Sequence, residues 1–209
     1  MESMSHCYLI DASIYVFRAW HVLPESYTDE QQRPVNALVG FSDFLYEFFR
    51  HVNPQQVAVA FDQSLGQCVR RSIYPAYKAN RPPAPESLKY QFQQCRELAR
   101  LLGVTQLADG AYEADDIIGT LAHRARQSGH NVHILTGDKD LTQLIETGDT
   151  WWDYYRNRRW SEKDVKKQWG VMPAQIADLL AIAGDKVDNI PGVPGIGPAT
   201  AARLLNRFG

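Results

Sequence analysis

The stretch Gly110–Asp140, GAYEADDIIGTLAHRARQSGHNVHILTGDKD, decides the fold. Ala114–Ser128 reads as a helix stopped at Gly129, and Val132–Leu135 as a short buried strand. Acids bracket the pair. Glu113, Asp115 and Asp116 stand at the helix start, where the N-terminal dipole favours them. Asp138 and Asp140 follow the strand directly. In open α/β sheets ligands bind outside the carboxyl ends of the strands, so this unit carries its acids to the place where a site is built.

The same arrangement recurs on either side. CYLID ends at Asp11, VAVAFD ends at Asp62, and IAGDKVD supplies Asp185 and Asp188. Tyr8–Ile10 and Val57–Phe61 read as strands. Ser13–His21, Asn36–His51 and Ser87–Leu102 read as helices, with breaks at Asn53-Pro54 and Gly103. Alternating helix and strand predict an α/β fold with a mainly parallel sheet flanked by helices. One such sheet gathers carboxylates from five segments into one crevice. Crowded carboxylates must protonate or meet cations, and oxygen-ligated divalent metal suggests phosphate chemistry. Taken singly, an Asp after a strand is more often a turn former or helix cap; the recurrence favours metal.

The 209 residues, 44% hydrophobic, suffice for one core plus a small module. A formal net charge of −2 argues against a simple basic nucleic-acid binder, but charge is segregated. Val69–Arg81 holds Arg70, Arg71, Lys78 and Arg81 with no acid. Arg156, Arg158, Arg159, Lys163, Lys166 and Lys167 form a second basic region. Cys7, Cys68 and Cys95 read as reduced thiols of a cytoplasmic protein rather than a disulfide or zinc framework. MESMSHC lacks the pattern of a signal peptide, and no apolar run approaches the ~20 residues of a membrane span.

Character changes near Trp151. WWDYYRNRRW reads as a pair of short strands or an irregular connection, and Ser161-Glu162-Lys163-Asp164 as a capped helix start. Short helices and Gly/Pro turns follow. The predicted division is 1–157 and 158–209. Within the second part, IPGVPGIGPATAA at Ile190–Ala202 places Gly192, Gly195 and Gly197 in tight turns before a helix starting at Pro198. Free N–H groups at such a start bind phosphate, the logic of a helix-hairpin-helix clamp on a DNA backbone. If Tyr74–Arg81 is helical, Tyr74, Lys78 and Arg81 share a face, and the two cations can stabilise charge on a phosphate. Phe17, in the helix after Asp11, suits stacking on a base, although such a residue is more often core.

Together LIDAS, FDQS, YPAYKANRPPAP, EADDIIGTLA, TGDKDLTQL and GDKVDNIPGVPGIGPATAARLL resemble the 5′-nuclease (flap endonuclease-like) family. That family includes bacterial stand-alone 5′–3′ exonucleases and the 5′-nuclease domain of DNA polymerase I. The resemblance implies a PIN-like (resolvase-like) core with an arch near residues 70–90, then an all-α helix-three-turn-helix module. It implies a first metal site at Asp11, Asp62, Glu113, Asp115 and Asp116, and a second at Asp138, Asp140, Asp185 and Asp188. Mg2+ would fill both, with Mn2+ able to substitute. Lys78, Arg81, Asp115 and Asp138 become the catalytic positions. Phe17, Arg70, Arg71, Tyr74, Lys78, Arg81, Gly192, Gly195 and Gly197 become DNA contacts. Carbonyls of Ile182, Ala183, Pro191, Val193 and Ile196 would hold K+. The implied activity is 5′–3′ exonuclease and flap endonuclease cleavage of DNA at 5′ ends, flaps or junctions, RNA-primed strands included, by a monomer with no membrane partner. A junction-binding protein with impaired catalysis and a PIN-type ribonuclease are the alternatives. Two departures stand out: relatives often carry Tyr where Phe17 stands, and they continue with further helices where this chain stops at Gly209.

Overall fold

The computed structural model describes residues 5–63 and 68–209; Ser64, the last residue of FDQS, lies outside them. The chain order is β1 (Ser5–Asp11), α1 (Ala12–Val22), α2 (Asn36–Val52), β2 (Gln56–Asp62), α3 (Val69–Ile73), α4 (Glu86–Leu101) and β3 (Thr105–Asp109). Then come α5 (Ala114–Gln127), β4 (His130–Leu135), β5 (Thr150–Asp153), β6 (Arg158–Trp160), α6 (Glu162–Trp169), α7 (Ile176–Ala183) and α8 (Pro198–Phe208). The sheet order is β3-β2-β1-β4-β5-β6. All neighbours are parallel except β5 and β6.

Strand residues alternate between two faces, and each face has its own core. Ile10, Val59, Phe61 and Leu135 pack with Tyr15 and Val16 of α1, Phe41, Phe44, Leu45 and Phe48 of α2, and Cys95 and Ala99 of α4. Leu9, Ala60, Val132 and Ile134 pack with Ala114, Ile118 and Ala122 of α5. Both helix stripes follow the i, i+3, i+4 spacing that a buried face requires. Gly40 lets α2 cross α1 closely, since a Cβ there would stand 2.5 Å from the Ala19 Cβ. Helix α2 ends at Asn53 in the left-handed conformation, φ 47°, as suits a C-terminal cap.

Strand β3 escaped the sequence reading because TQLAD is short and half-polar. WWDYYRNRRW is the β5–β6 hairpin. The expected division at 157/158 falls within this hairpin, and the sheet runs to Trp160. A third cluster, Val165, Val171, Ile176, Leu179, Ala201, Ala202 and Leu205, forms the helical module. Trp160 packs against both this cluster and the α5 face of the sheet. The α6 start is the expected capping box, with the Ser161 N–H donating to Asp164 at 2.9 Å. No helix among the described residues is long and apolar enough to cross a membrane.

Candidate metal and nucleic-acid site

The sequence leaves β1 for α1 on one side and enters β4 from the other, so the crevice opens at the carboxyl ends of β1 and β4. Asp11 ends β1. Across the crevice, the Thr136 hydroxyl donates 2.8 Å to Asp11 Oδ2 and accepts the Asp138 N–H at 3.0 Å. Asp62, ending β2, accepts from the Ser13 hydroxyl at 2.6 Å and from the Ala114 N–H at 2.9 Å. That second bond pins the start of α5 to β2 and brings Asp115 to the same place. Asp140 opens a short 3-10 turn whose first N–H is held by Asp138 at 2.9 Å.

The electrostatics of these acids follow from their burial and proximity. Burial, then repulsion from Asp62 and Asp138, pushes Asp11 up to about 7 against the opposing Thr136 bond. Burial, then Asp11, Asp138 and Asp62, pushes Asp115 up to about 8. Burial, then Asp138, Asp185 and Asp188, pushes Asp140 up to about 7. Asp138 is raised too, by burial first and then by Asp188 and Asp185. Asp138 thus stands between a group formed by Asp11, Asp62 and Asp115 and a group formed by Asp140, Asp185 and Asp188.

Glu113 and Asp116 belong to a different environment. Lys78 Nζ lies 3.0 and 3.2 Å from the Glu113 oxygens and 3.6 Å from Asp188. The Tyr77 hydroxyl bridges Glu113 at 2.9 Å and Asp188 at 3.1 Å. Arg70 grips Asp116 with two bonds, 2.6 and 2.8 Å. Burial opposes the Asp116 charge, but Arg70 and the Glu113 N–H hold its carboxyl below the ordinary value. Arg81 donates 2.6 Å to Asp188. Among the described residues no three His, Cys, Asp or Glu side chains form a ready-made metal-binding group; protein cations and hydrogen bonds divide the acids instead. An all-oxygen donor set, with buried carboxylates that repel each other, fits a hard divalent cation.

Tyr74–Arg81 is not helical. α3 ends at Ile73, and Pro75–Asn80 is a run of turns. Pro75 drives Tyr74 to extended backbone, φ −136° and ψ 94°, and Lys78 sits in the left-handed region at φ 52°. That conformation costs about 1–2 kcal/mol for a residue other than glycine. Tyr74, Lys78 and Arg81 therefore share no helical face. Lys78 and Arg81 meet through Asp188 instead. Arg71, expected on DNA, donates to the Tyr77 and Lys78 carbonyls at 3.2 and 3.4 Å and so braces the loop. Tyr74 is 38% and Phe17 40% exposed; Phe17 meets Phe92 of α4 edge-on at 5.3 Å.

In the hairpin, Gly192 is required by space: a Cβ would lie 2.4 Å from the Ala183 carbonyl carbon. Gly195 is required by its φ of 79°, and Gly197 caps α8. Among the carbonyls assigned to potassium, Ile182 accepts the Val193 N–H at 2.8 Å and Val193 accepts the Ile196 N–H at 3.0 Å. Ala183 is the last residue of α7, and Pro191 directly follows the Asp185–Ile190 bridge. Sequence reasoning missed Ser13, Tyr77 and Thr136. Each lies inside a quoted motif, but a neutral hydroxyl carries no charge pattern to single it out.

Residues 6–170 match the family described as 5′-3′ exonuclease, N-terminal resolvase-like domain. Residues 171–209 match 5′-3′ exonuclease, C-terminal SAM fold. The chain is 40% identical over 216 aligned positions to DNA polymerase I of Rhizobium leguminosarum, covering 100% of this chain and 21% of that one. It is 38% identical to a 5′-3′ exonuclease of Aquifex aeolicus, covering 99% of this chain and 71% of that protein. Among solved structures, T5 5′-exonuclease with bound divalent metal ions (zinc) superposes with a TM-score of 0.81 at 21% identity. That alignment covers 98% of this chain and 76% of the other, and the likeness is one of fold. The chain spans about a fifth of the polymerase it matches.

Proposed function

The chain belongs to the 5′-3′ exonuclease family, and from that premise we propose that it is a metal-dependent, structure-specific 5′ nuclease. It hydrolyses phosphodiester bonds at DNA 5′ ends and 5′-flap junctions, as 5′–3′ exonuclease and flap endonuclease, in the cytoplasm. One observation carries the reading. Acids from five segments, one of which (Asp185 and Asp188) is in the helical module, come close enough to repel one another beside Lys78 and Arg81.

Asp11, Asp62, Asp115 and Asp138 would hold one Mg2+, and Asp138, Asp140, Asp185 and Asp188 a second, with Mn2+ able to substitute. Such ions supply a water nucleophile at neutral pH and neutralise charge on the phosphate. The residues do the rest. Lys78 and Arg81, now bonded to Glu113 and Asp188, turn their charge to the phosphate once the acids are otherwise neutralised. The N–H groups at Gly197 and the start of α8 bind the duplex backbone. Exposed Phe17 and Tyr74 offer stacking faces to the 5′ strand, whether DNA or an RNA primer. The Ile182, Ala183, Pro191, Val193 and Ile196 carbonyls would hold K+ at the turn, and the active species is a monomer.

The test is product mapping from end-labelled 5′-flap, nicked and blunt DNA with added magnesium, beside single-stranded RNA. Release of short 5′ products from flap and nicked DNA is expected, lost in the Asp138→Asn, Asp140→Asn pair. Binding without cleavage at every magnesium and manganese concentration, or faster cleavage of the RNA, would sink the reading.

A further inference from the structure

Two loops from different parts of the fold are clipped together at the site. The Lys78 N–H donates 3.0 Å to the Asp188 carbonyl. The Asn80 amide donates 3.3 Å to the Lys186 carbonyl in the same direction, and in return the Asn189 side-chain amide donates 2.7 Å to the Ala76 carbonyl. Lys78 and Asn189 both adopt the left-handed conformation, with φ of 52° and 59°. The 185–190 loop is itself closed: Asp185 and Ile190 exchange both backbone bonds, at 2.9 and 2.7 Å, and the Asp185 carboxylate accepts the Val187 N–H at 2.7 Å. It forms a firm base against which a looser run of turns can be set.

We propose that Asn189 is a positioning residue for Lys78. Resting on the nuclease reading above, the proposal says that the helical module fixes where the lysine points. The residue type fits both demands. Asn adopts the left-handed conformation more readily than most residues, and its amide is the donor that a backbone carbonyl needs. Arg71 braces the Tyr77 and Lys78 carbonyls from within the loop; the bond from the Lys78 N–H to Asp188 and that from the Asn189 amide to Ala76 fix the same turn from the helical module. The fixed backbone lays the ammonium between Glu113 and Asp188, with the side chain only 9% exposed. Asn189 itself is exposed and touches neither acid cluster through its amide. Its effect therefore runs through the 76–78 backbone.

The discriminating variants are Asn189→Gly, which keeps the backbone conformation and loses the amide, and Asn189→Asp, which keeps the shape and turns the donor into an acceptor. Two readouts are needed. In metal-free protein, amine acylation followed by mass spectrometry should label Lys78 several-fold faster in both variants than in the parent, with other lysines unchanged. In magnesium, single-turnover cleavage of a 5′-flap should slow about tenfold or more, while flap binding in calcium stays as in the parent. In a Lys78→Met background, Asn189→Gly should add no further loss. Parental labelling of Lys78 in both variants overturns the proposal, as does a rate loss that persists undiminished in the Lys78→Met background. If the parent itself cuts no flap, the nuclease reading fails, and the labelling arm still decides the role of Asn189.

Discussion

Lys78 and Glu113 form a buried ion pair, with the ammonium 3.0 and 3.2 Å from the two carboxylate oxygens and side chains only 9% and 4% exposed. Removing one partner leaves the other buried with only a longer contact, Lys78 to Asp188 or Glu113 to Arg70, each at 3.6 Å. Glu113→Ala is expected to destabilise the metal-free protein by about 3 kcal/mol. Lys78→Met, which leaves an acid able to protonate, should cost less. Urea unfolding midpoints for the two variants test the order; equal or reversed losses would show that the pair is not held in a dry environment.

Thr136 ties the ends of β1 and β4 through Asp11 and the Asp138 N–H. Thr136→Val keeps the shape and removes both bonds. Loss of a partner that orients a ligand weakens metal affinity by about 10- to 100-fold, and the lost hydrogen bonds cost about 1–2 kcal/mol. Calorimetric titration with Mn2+ measures the first. Unchanged affinity would remove Thr136 from the site.

Stability of the metal-free protein should depend on pH in an uncommon direction. Burial and mutual repulsion raise Asp11, Asp115 and Asp140 to about 7, 8 and 7, whereas unfolded carboxyls titrate near about 4. The folded protein then binds more protons over that window. The contribution is full below the unfolded value and lost as pH rises through about 7 to 8. His133 acts oppositely. Burial lowers it to about 4, so its contribution is present above the unfolded value near about 6.5 and lost as pH falls. The difference between magnesium-loaded and metal-free melting temperatures cancels His133. That difference should be larger at high pH than at low pH; a flat or inverted profile would contradict the burial of these acids.

Gly192 and Gly197 make a matched pair of controls for the hairpin. Gly192→Ala drives a Cβ into the Ala183–Gly184 backbone, whereas a Cβ at Gly197 meets nothing within 4 Å. The first is expected to cost about 1–3 kcal/mol and to weaken duplex binding measured by anisotropy in calcium, while the second should leave stability close to that of the parent. Binding by the parent should fall with salt, because phosphate contacts release counterions. Parental binding by Gly192→Ala would separate the hairpin from the duplex.

The sequence by itself determined the α/β class, the strands ending at Asp11 and Asp62, the helix that starts at Ala114, and the Gly/Pro hairpin with its following helix. Those follow from local causes: apolar periodicity, acids at the ends of runs, and glycines where backbone is crowded or left-handed. Tertiary structure alone decided how the acids divide. Asp116 and Arg70 stand 46 positions apart, and Lys78 and Asp188 lie 110 apart; no spacing rule reaches that far. Only the sheet order and the clip between two left-handed loops bring such groups within 4 Å. There, Coulomb attraction and burial assign some acids to protein cations and leave the others crowded together.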